Sequence, residues 1–208
     1  MNRQLGFTII ELMVAIAVLG VLMGIGVPGM QSFLQNSRLT SQINLLSTSL
    51  AIARSEAIKR NDRVLICVST NGTACEATGS GTTWDEGWLV FVDRNNNSVV
   101  DLGPPGTDDC AVTATTDCII ASQAAYPGTN ILTPGAGAPD FLAYVGDGSL
   151  RCNTDGDITT LETCNNANTF FTLCDFRGAQ YAKAVAISRT GRVASLAKQP
   201  NGSALSCP

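Results

Sequence analysis

GFTIIELMVAIAVLGVLMGIGVPGM, residues Gly6–Met30, decides how the rest of the chain is read. From Phe7 to Met30 the run holds 24 residues and a single charged side chain, Glu11. As a helix rising ~1.5 Å per residue it spans ~36 Å, enough to cross a bilayer with some tilt. A carboxylate in hydrocarbon costs roughly 2.5–3.5 kcal/mol, so an acid in such a run needs a partner. A cleaved secretory signal has a shorter apolar core that ends in small residues at an A-x-A-like site. Here the only such triplet, Ala15-Ile16-Ala17, falls in the middle of the run. A plain signal anchor fits the length and leaves Glu11 unexplained. Gly20, Gly24, Gly26, Pro28 and Gly29 crowd the end of the run. Glycine costs up to ~1 kcal/mol and proline ~3 in a helix interior, which predicts a weak helix that kinks at Pro28. Close helix–helix packing through small residues is the alternative use of the same stretch.

Beyond the run the periodicity changes. Leu39, Ile43, Leu46, Leu50, Ala53 and Ala57 recur at alternating spacings of four and three, one apolar stripe on a helix continuing to about residue 62. Such a stripe is the seat of a β domain packed against it. RVLICVS (63–69), GWLVFVD (87–93), TFFTLCDF (169–176), KAVAIS (183–188) and GRVASLA (191–197) read as strands: β-branched and aromatic residues bounded by Gly, Asn and Asp. The stretch 102–165 is rich in Gly, Pro and Thr and weakly patterned, with short strands expected at CIIAS (118–122) and FLAYVG (141–146). The expected organisation is a leader at 1–6, a membrane helix at 7–30, its amphipathic continuation at 31–62 and a β-rich domain at 63–208. The class is α+β: a long N-terminal helix on antiparallel sheet, with loops held by disulfides.

The eight cysteines (Cys67, Cys75, Cys110, Cys118, Cys152, Cys164, Cys174 and Cys207) all lie beyond the apolar run. An even number in loop-rich sequence behind a membrane segment reads as disulfides in an oxidising compartment. A zinc site competes, but the chain has no histidine and no CxxC pair. Roughly a hundred connectivities are open to eight cysteines. Joining sequence neighbours gives Cys67–Cys75, Cys110–Cys118, Cys152–Cys164 and Cys174–Cys207.

Net charge is −4, but residues 1–75 balance to +3, 76–175 to −12 and 176–208 to +5. The last segment carries Arg177, Lys183, Arg189, Arg192 and Lys198 and no acid, so an anionic partner belongs there. Without histidine, and with every cysteine given a pairing partner, no catalytic constellation stands out and no cofactor is expected. Asp93, Asn95, Asn97 and Asp101 space oxygens like a calcium loop. Ser98 stands at its sixth position in place of Gly and Pro104 at its twelfth in place of Glu. An Asn-rich turn closed by its own side chains accounts for the same residues. Trp84 and Trp88 read as core and hairpin residues.

G-F-T-I-I-E-L behind a short leader containing Arg3 resembles the class III signal of type IV pilins and type II secretion pseudopilins. The resemblance implies cutting after Gly6 by a prepilin peptidase, N-methylation of Phe7, and pairing of Glu11 with the N-terminal amine of an adjacent subunit. Buried charges that complete one another in this way also fix axial register, since removing one typically costs ~3–5 kcal/mol. ARSEAIKRNDRVLICVS (53–69), W-x-x-GWLVFVDRNNN (84–97), FTLCDFRG (171–178) and AISRTGRV (186–193) resemble the GspH/FimT group of minor pilins. That likeness implies a pilin-like fold and a non-enzymatic subunit of a type IV pilus or type II secretion filament. Its partners would be other major and minor pilins or pseudopilins. It also implies a single pass through a bacterial inner membrane, with the C-terminal domain in the periplasm or on the cell surface. In one branch of the group a G-R-x-R motif contributes to DNA binding during natural transformation. Gly191-Arg192-Val193-Ala194 keeps its first arginine and lacks the second. Arg189, Arg192 and Lys198 are the candidate DNA contacts, against the alternative of scattered surface charge.

Overall fold

The computed structural model describes residues 7–77, 80–103, 110, 115–135, 141–152, 162–164 and 169–208. The leader and the predicted cleavage site Gly6 lie outside the described residues. The chain divides into two compact units, Met1–Arg38 and Leu39–Pro208, and the boundary falls within one helix, α1 (Ile9–Arg60).

In the first unit, α1 carries the apolar run. Its most apolar 18-residue window has a mean hydropathy of 2.5, and none of that window is buried. The large apolar side chains from Ile9 to Val27, and Met30 and Phe33 beyond them, are exposed all round the helix, the pattern of a segment meant for lipid or for other helices. The helix passes through residue 28 without interruption.

In the second unit, α1 buries Leu39, Ile43, Leu46, Leu50, Ala53 and Ala57, the whole predicted stripe. The helix closes in a Schellman motif: Asp62 N–H donates to Ala57 O, Asn61 N–H to Ile58 O, and Asn61 is left-handed at φ 53°. Two antiparallel sheets follow. The first is built from β1 (Val64–Val68), β2 (Gly87–Val92), β3 (Cys118–Ala124), β5 (Phe141–Tyr144), β6 (Leu150–Cys152) and β7 (Glu162–Thr163), in the order β3-β2-β1-β5-β6-β7. The second joins β4 (Ile131–Pro134), β8 (Phe170–Cys174), β9 (Lys183–Ile187) and β10 (Val193–Leu196), in the order β10-β9-β8-β4. Strands β4, β6 and β7 lie where the sequence pattern is weak and were not anticipated.

One core joins the helix stripe, one face of the first sheet (Val64, Ile66, Trp88, Val90, Leu142, Tyr144) and the inner residues of the second (Leu132, Phe171, Leu173, Val185, Ile187). Trp84, in a 3-10 turn, meets Phe171 edge-on at 5.0 Å, and Trp88 meets Tyr126 at 5.5 Å. Tyr126 in turn donates its hydroxyl to Gln42 O at 2.6 Å, pinning the sheet to the helix. The other face of the first sheet buries Leu65, Cys67, Leu89, Phe91, Phe141 and Ala143, with Cys75, Val100 and Ile119 packed on them. Both faces of β1 and β2 are therefore covered. Antiparallel strands with one wet face alternate; these run apolar without alternation because loops form a second lid.

Disulfides fasten those loops. Cys67–Cys75 closes an eight-residue separation at the lid, Cys110–Cys118 closes another against the helix-facing core, Cys152–Cys164 closes twelve, and Cys174–Cys207 closes thirty-three from β8 to the tail. Closing such loops removes entropy from the unfolded chain, and more for the longer ones.

Candidate functional site

Three groups of residues were singled out by sequence, and each has a different local cause. The first is the start of α1. Leu12 N–H donates to Thr8 O, so Thr8 is the N-cap. Glu11 N–H donates to Thr8 Oγ1 at 3.3 Å, while Thr8 N–H donates to Glu11 Oε2 at 3.4 Å. This is a capping box: each side chain satisfies a backbone donor of the other. The carboxylate also sits at the positive end of the helix dipole. Glu11 thus has a partner within its own chain, a role that the T-x-x-E spacing of Thr8 and Glu11 offered to sequence reading and that was missed. Both residues are exposed, as is Phe7 one position before the cap.

The second is the turn joining β9 to β10. Ser188 N–H donates to Arg192 O at 2.9 Å and Gly191 N–H to Ser188 O at 2.8 Å, which leaves Arg189, Thr190 and Gly191 as a three-residue loop. Gly191 is left-handed at φ 76°. A Cβ there would lie 2.7 Å from the Tyr144 ring and 3.0 Å from Arg54 Nε, so the turn has room for glycine only. Tyr144 Oη donates to Gly191 O, Leu150 N–H to Arg189 O, and Arg54 Nε to Gly148 O in the turn between β5 and β6. Helix and both sheets therefore hold this turn fixed, with Arg189 and Arg192 exposed on it. Lys198 is exposed in the bend past β10, beyond the turn itself. The Asp147 carboxyl, in the turn between β5 and β6, is held below its usual range by Ser149, whose N–H donates to it at 2.7 Å.

The third is the loop after β2. Asp93 is fully buried and bound to Arg63. Its carboxylate also accepts Asn97 N–H at 3.2 Å and Ser98 N–H at 2.9 Å. Asp101 Oδ2 accepts the amides of Asn95 at 2.8 Å and Asn97 at 2.6 Å, which hold its carboxyl below the usual range. Asn95 Oδ1 and Asn97 Oδ1 accept Asn97 N–H and Val99 N–H. Asn96 and Ser98 are both left-handed, at φ 61°. Each of the four candidate calcium residues thus has oxygen engaged by an N–H donor of the loop itself or by Arg63. Asp117 anchors the loop by accepting Arg94 N–H and Asp101 N–H, and burial pushes its carboxyl up despite those bonds.

Residues 42–191, well over half of the chain, match the family described as Type II transport protein GspH, and residues 1–27 match the Prokaryotic N-terminal methylation motif. The chain is similar to the Pilin-like protein PilA1 of Thermus thermophilus, 35% identical over 50% of this chain and 56% of that protein. It spans about half the length of that relative. A Probable minor fimbrial protein of Dichelobacter nodosus is 30% identical over 55% of this chain and 72% of its own length. The type IV minor pilin FimU of Pseudomonas aeruginosa, a crystal structure, aligns over 82% of this chain and 98% of its own with a TM-score of 0.47 and 16% identity. On the two sequence matches, which between them take in the capped helix start and the domain up to Gly191, the chain belongs to the GspH family of minor pilins and pseudopilins.

Proposed function

We propose that the chain is a structural, non-enzymatic filament subunit, cut after Gly6 by a prepilin peptidase and N-methylated at Phe7. It is held in the bacterial inner membrane by residues 7–30 and presents residues 63–208 to the periplasm or cell surface. It joins other pilins or pseudopilins as a minor component that primes or caps a type IV pilus or type II secretion filament. The capped first turn supports this most directly. Cutting after Gly6 creates an amine at Phe7, next to Thr8 and one helical turn from Glu11, in a segment with no other charge before Arg38. In a bundle of such helices that amine and a neighbour's Glu11 neutralise one another and set axial register. Glycines and Pro28 near the end of the run give the helix a place to bend on packing.

The test is Glu11→Ala. Mass spectrometry should find the variant cut and methylated at Phe7, while its share of sheared filaments falls ~100-fold, as expected from losing one member of a buried pair. Unchanged incorporation overturns the assembly role of Glu11. Deleting the gene and scoring piliation beside exoprotein secretion assigns the system.

A second reading rests on the rigid basic turn: Arg189 and Arg192, with Lys198, as contacts to DNA phosphates. Each phosphate contact adds to a steep salt dependence. A gel shift with the fragment from Leu39, one compact unit, decides it. Absence of a shift at low salt, or a shift that survives Arg189→Ala with Arg192→Ala, removes this reading.

A further inference from the structure

Among the described residues the two sheets have four outer strands, β3, β7, β10 and β4. Three carry a feature that discourages pairing with another chain. The β2–β3 pairing shifts register between Val90 and Phe91, β7 is two residues long, and β4 ends in Pro134. Strand β10 has none of these. It is four uncharged residues in unbroken register with β9, from Val193 opposite Ile187 to Leu196 opposite Ala184. Because Ser188 N–H donates to Arg192 O, the alternation of an antiparallel ladder assigns the β9-facing backbone groups to Arg192, Ala194 and Leu196. The N–H and C=O groups of Val193 and Ser195 face the open side.

Beside this edge lies a shallow groove of about 340 Å³, lined by Ala186, Ile187, Arg192, Ala194, Leu196 and Pro200. Small side chains on its floor leave space for those of an added strand. Arg192 stands at one end of the edge and Lys198 near the other, both exposed, and residues 176–208 hold no carboxylate. The two cations are six residues apart, Arg192 just before the strand and Lys198 in the bend just after it. We propose that β10 is a docking edge for an extended, carboxylate-bearing peptide segment of a partner protein, which adds to the second sheet as a fifth strand. Its backbone pairs with Val193 and Ser195, its small apolar side chains enter the groove, and acidic residues six positions apart meet Arg192 and Lys198. This site does not depend on which filament the subunit joins or on the fate of Glu11.

The test uses the full chain in detergent micelles and two synthetic heptapeptides. Each alternates valine with serine between two terminal charges six residues apart, glutamates in one and lysines in the other. Amide hydrogen exchange is read at Val193 and Ser195. The glutamate peptide should slow both amides at least ~10-fold while the lysine peptide leaves them unchanged. Ser195→Pro deletes an outward N–H without touching the β9 ladder and should abolish the protection. Arg192→Glu with Lys198→Glu, which leaves the backbone edge intact, should transfer the preference to the lysine peptide. Protection by neither peptide, equal protection by both, or protection that grows with protein concentration alone (two copies pairing edge to edge) overturns the proposal.

Discussion

Two stretches of a single helix, 9–38 and 39–60, are both rich in leucine and isoleucine and do opposite things with them. In the second, apolar residues fall on one stripe, and that stripe is buried against strands of its own chain. In the first they surround the helix and none of the most apolar window is buried. What separates the two is periodicity rather than hydrophobicity. A stripe commits a helix to one neighbour already present in the molecule, whereas an all-round apolar surface commits it to a surrounding the chain does not supply. The polar contacts divide in the same way. Glu11 bonds only to Thr8 among the described residues, while Gln42 and Arg54 bond to Tyr126 and Gly148 in connections of the β domain.

The sharpest way to break this contrast is a paired truncation. Leu50→Ala should cost ~2–5 kcal/mol in denaturant unfolding of the folded domain, since it opens a cavity in a fully buried site. Ile16→Ala, exposed in the first stretch, should leave that unfolding curve where it is. Equal losses from the two would mean that the helix halves share one core. A smaller effect is expected at the cap. Thr8→Ala removes half of the capping box, worth ~1 kcal/mol, and should speed exchange of the first-turn amides ~5-fold in micelles without moving the domain's unfolding midpoint. The smallest concerns pH. The Arg60 bond, helped by Lys59, holds the Glu56 carboxyl below its ordinary value of 4.5. A carboxylate lowered in the folded state stabilises fully above its unfolded pKa, and that contribution is lost as pH falls through the folded value. Glu56→Gln should therefore cost ~0.3–0.5 kcal/mol near neutrality, with the difference from the parent vanishing in acid. A difference that persists below pH 3 would show that Glu56 acts through packing.

The helix and the central strands were legible because their signals are local: a 3.6-residue stripe and β-branched runs. Gly191, read as the start of a strand, belongs instead to the turn before Val193–Leu196. Strands β4, β6 and β7 were not legible. Ile131–Pro134 contains a proline that sequence rules steer away from strands, and the structure accommodates it by placing β4 at a sheet edge, where an absent N–H is tolerated. Leu150–Cys152 and Glu162–Thr163 are too short to show a period; pairing across the sheet, rather than their own composition, makes them strands. The two-sided burial of β1 and β2 was visible as unbroken apolar runs, yet nothing local says that the loop held by Cys67–Cys75, together with Val100, forms the second lid. At the candidate sites, sequence found the residues and missed some of their partners. It noted the Asp93 spacing without Arg63, thirty residues away, and sought the partner of Glu11 on an adjacent subunit while Thr8 stood three positions before it.

In the assembly proposed above, the Thr8–Glu11 capping box would give an unassembled subunit a resting state. Its carboxylate would wait already bonded to its own backbone, so a pool of free chains would carry no stranded charge that rewards indiscriminate pairing. Meeting a neighbour's terminal amine, Glu11 would trade one set of bonds for another. The gain on docking would then be the difference between two satisfied states, and the step could run backwards. A filament built this way would be held by the number of its subunits.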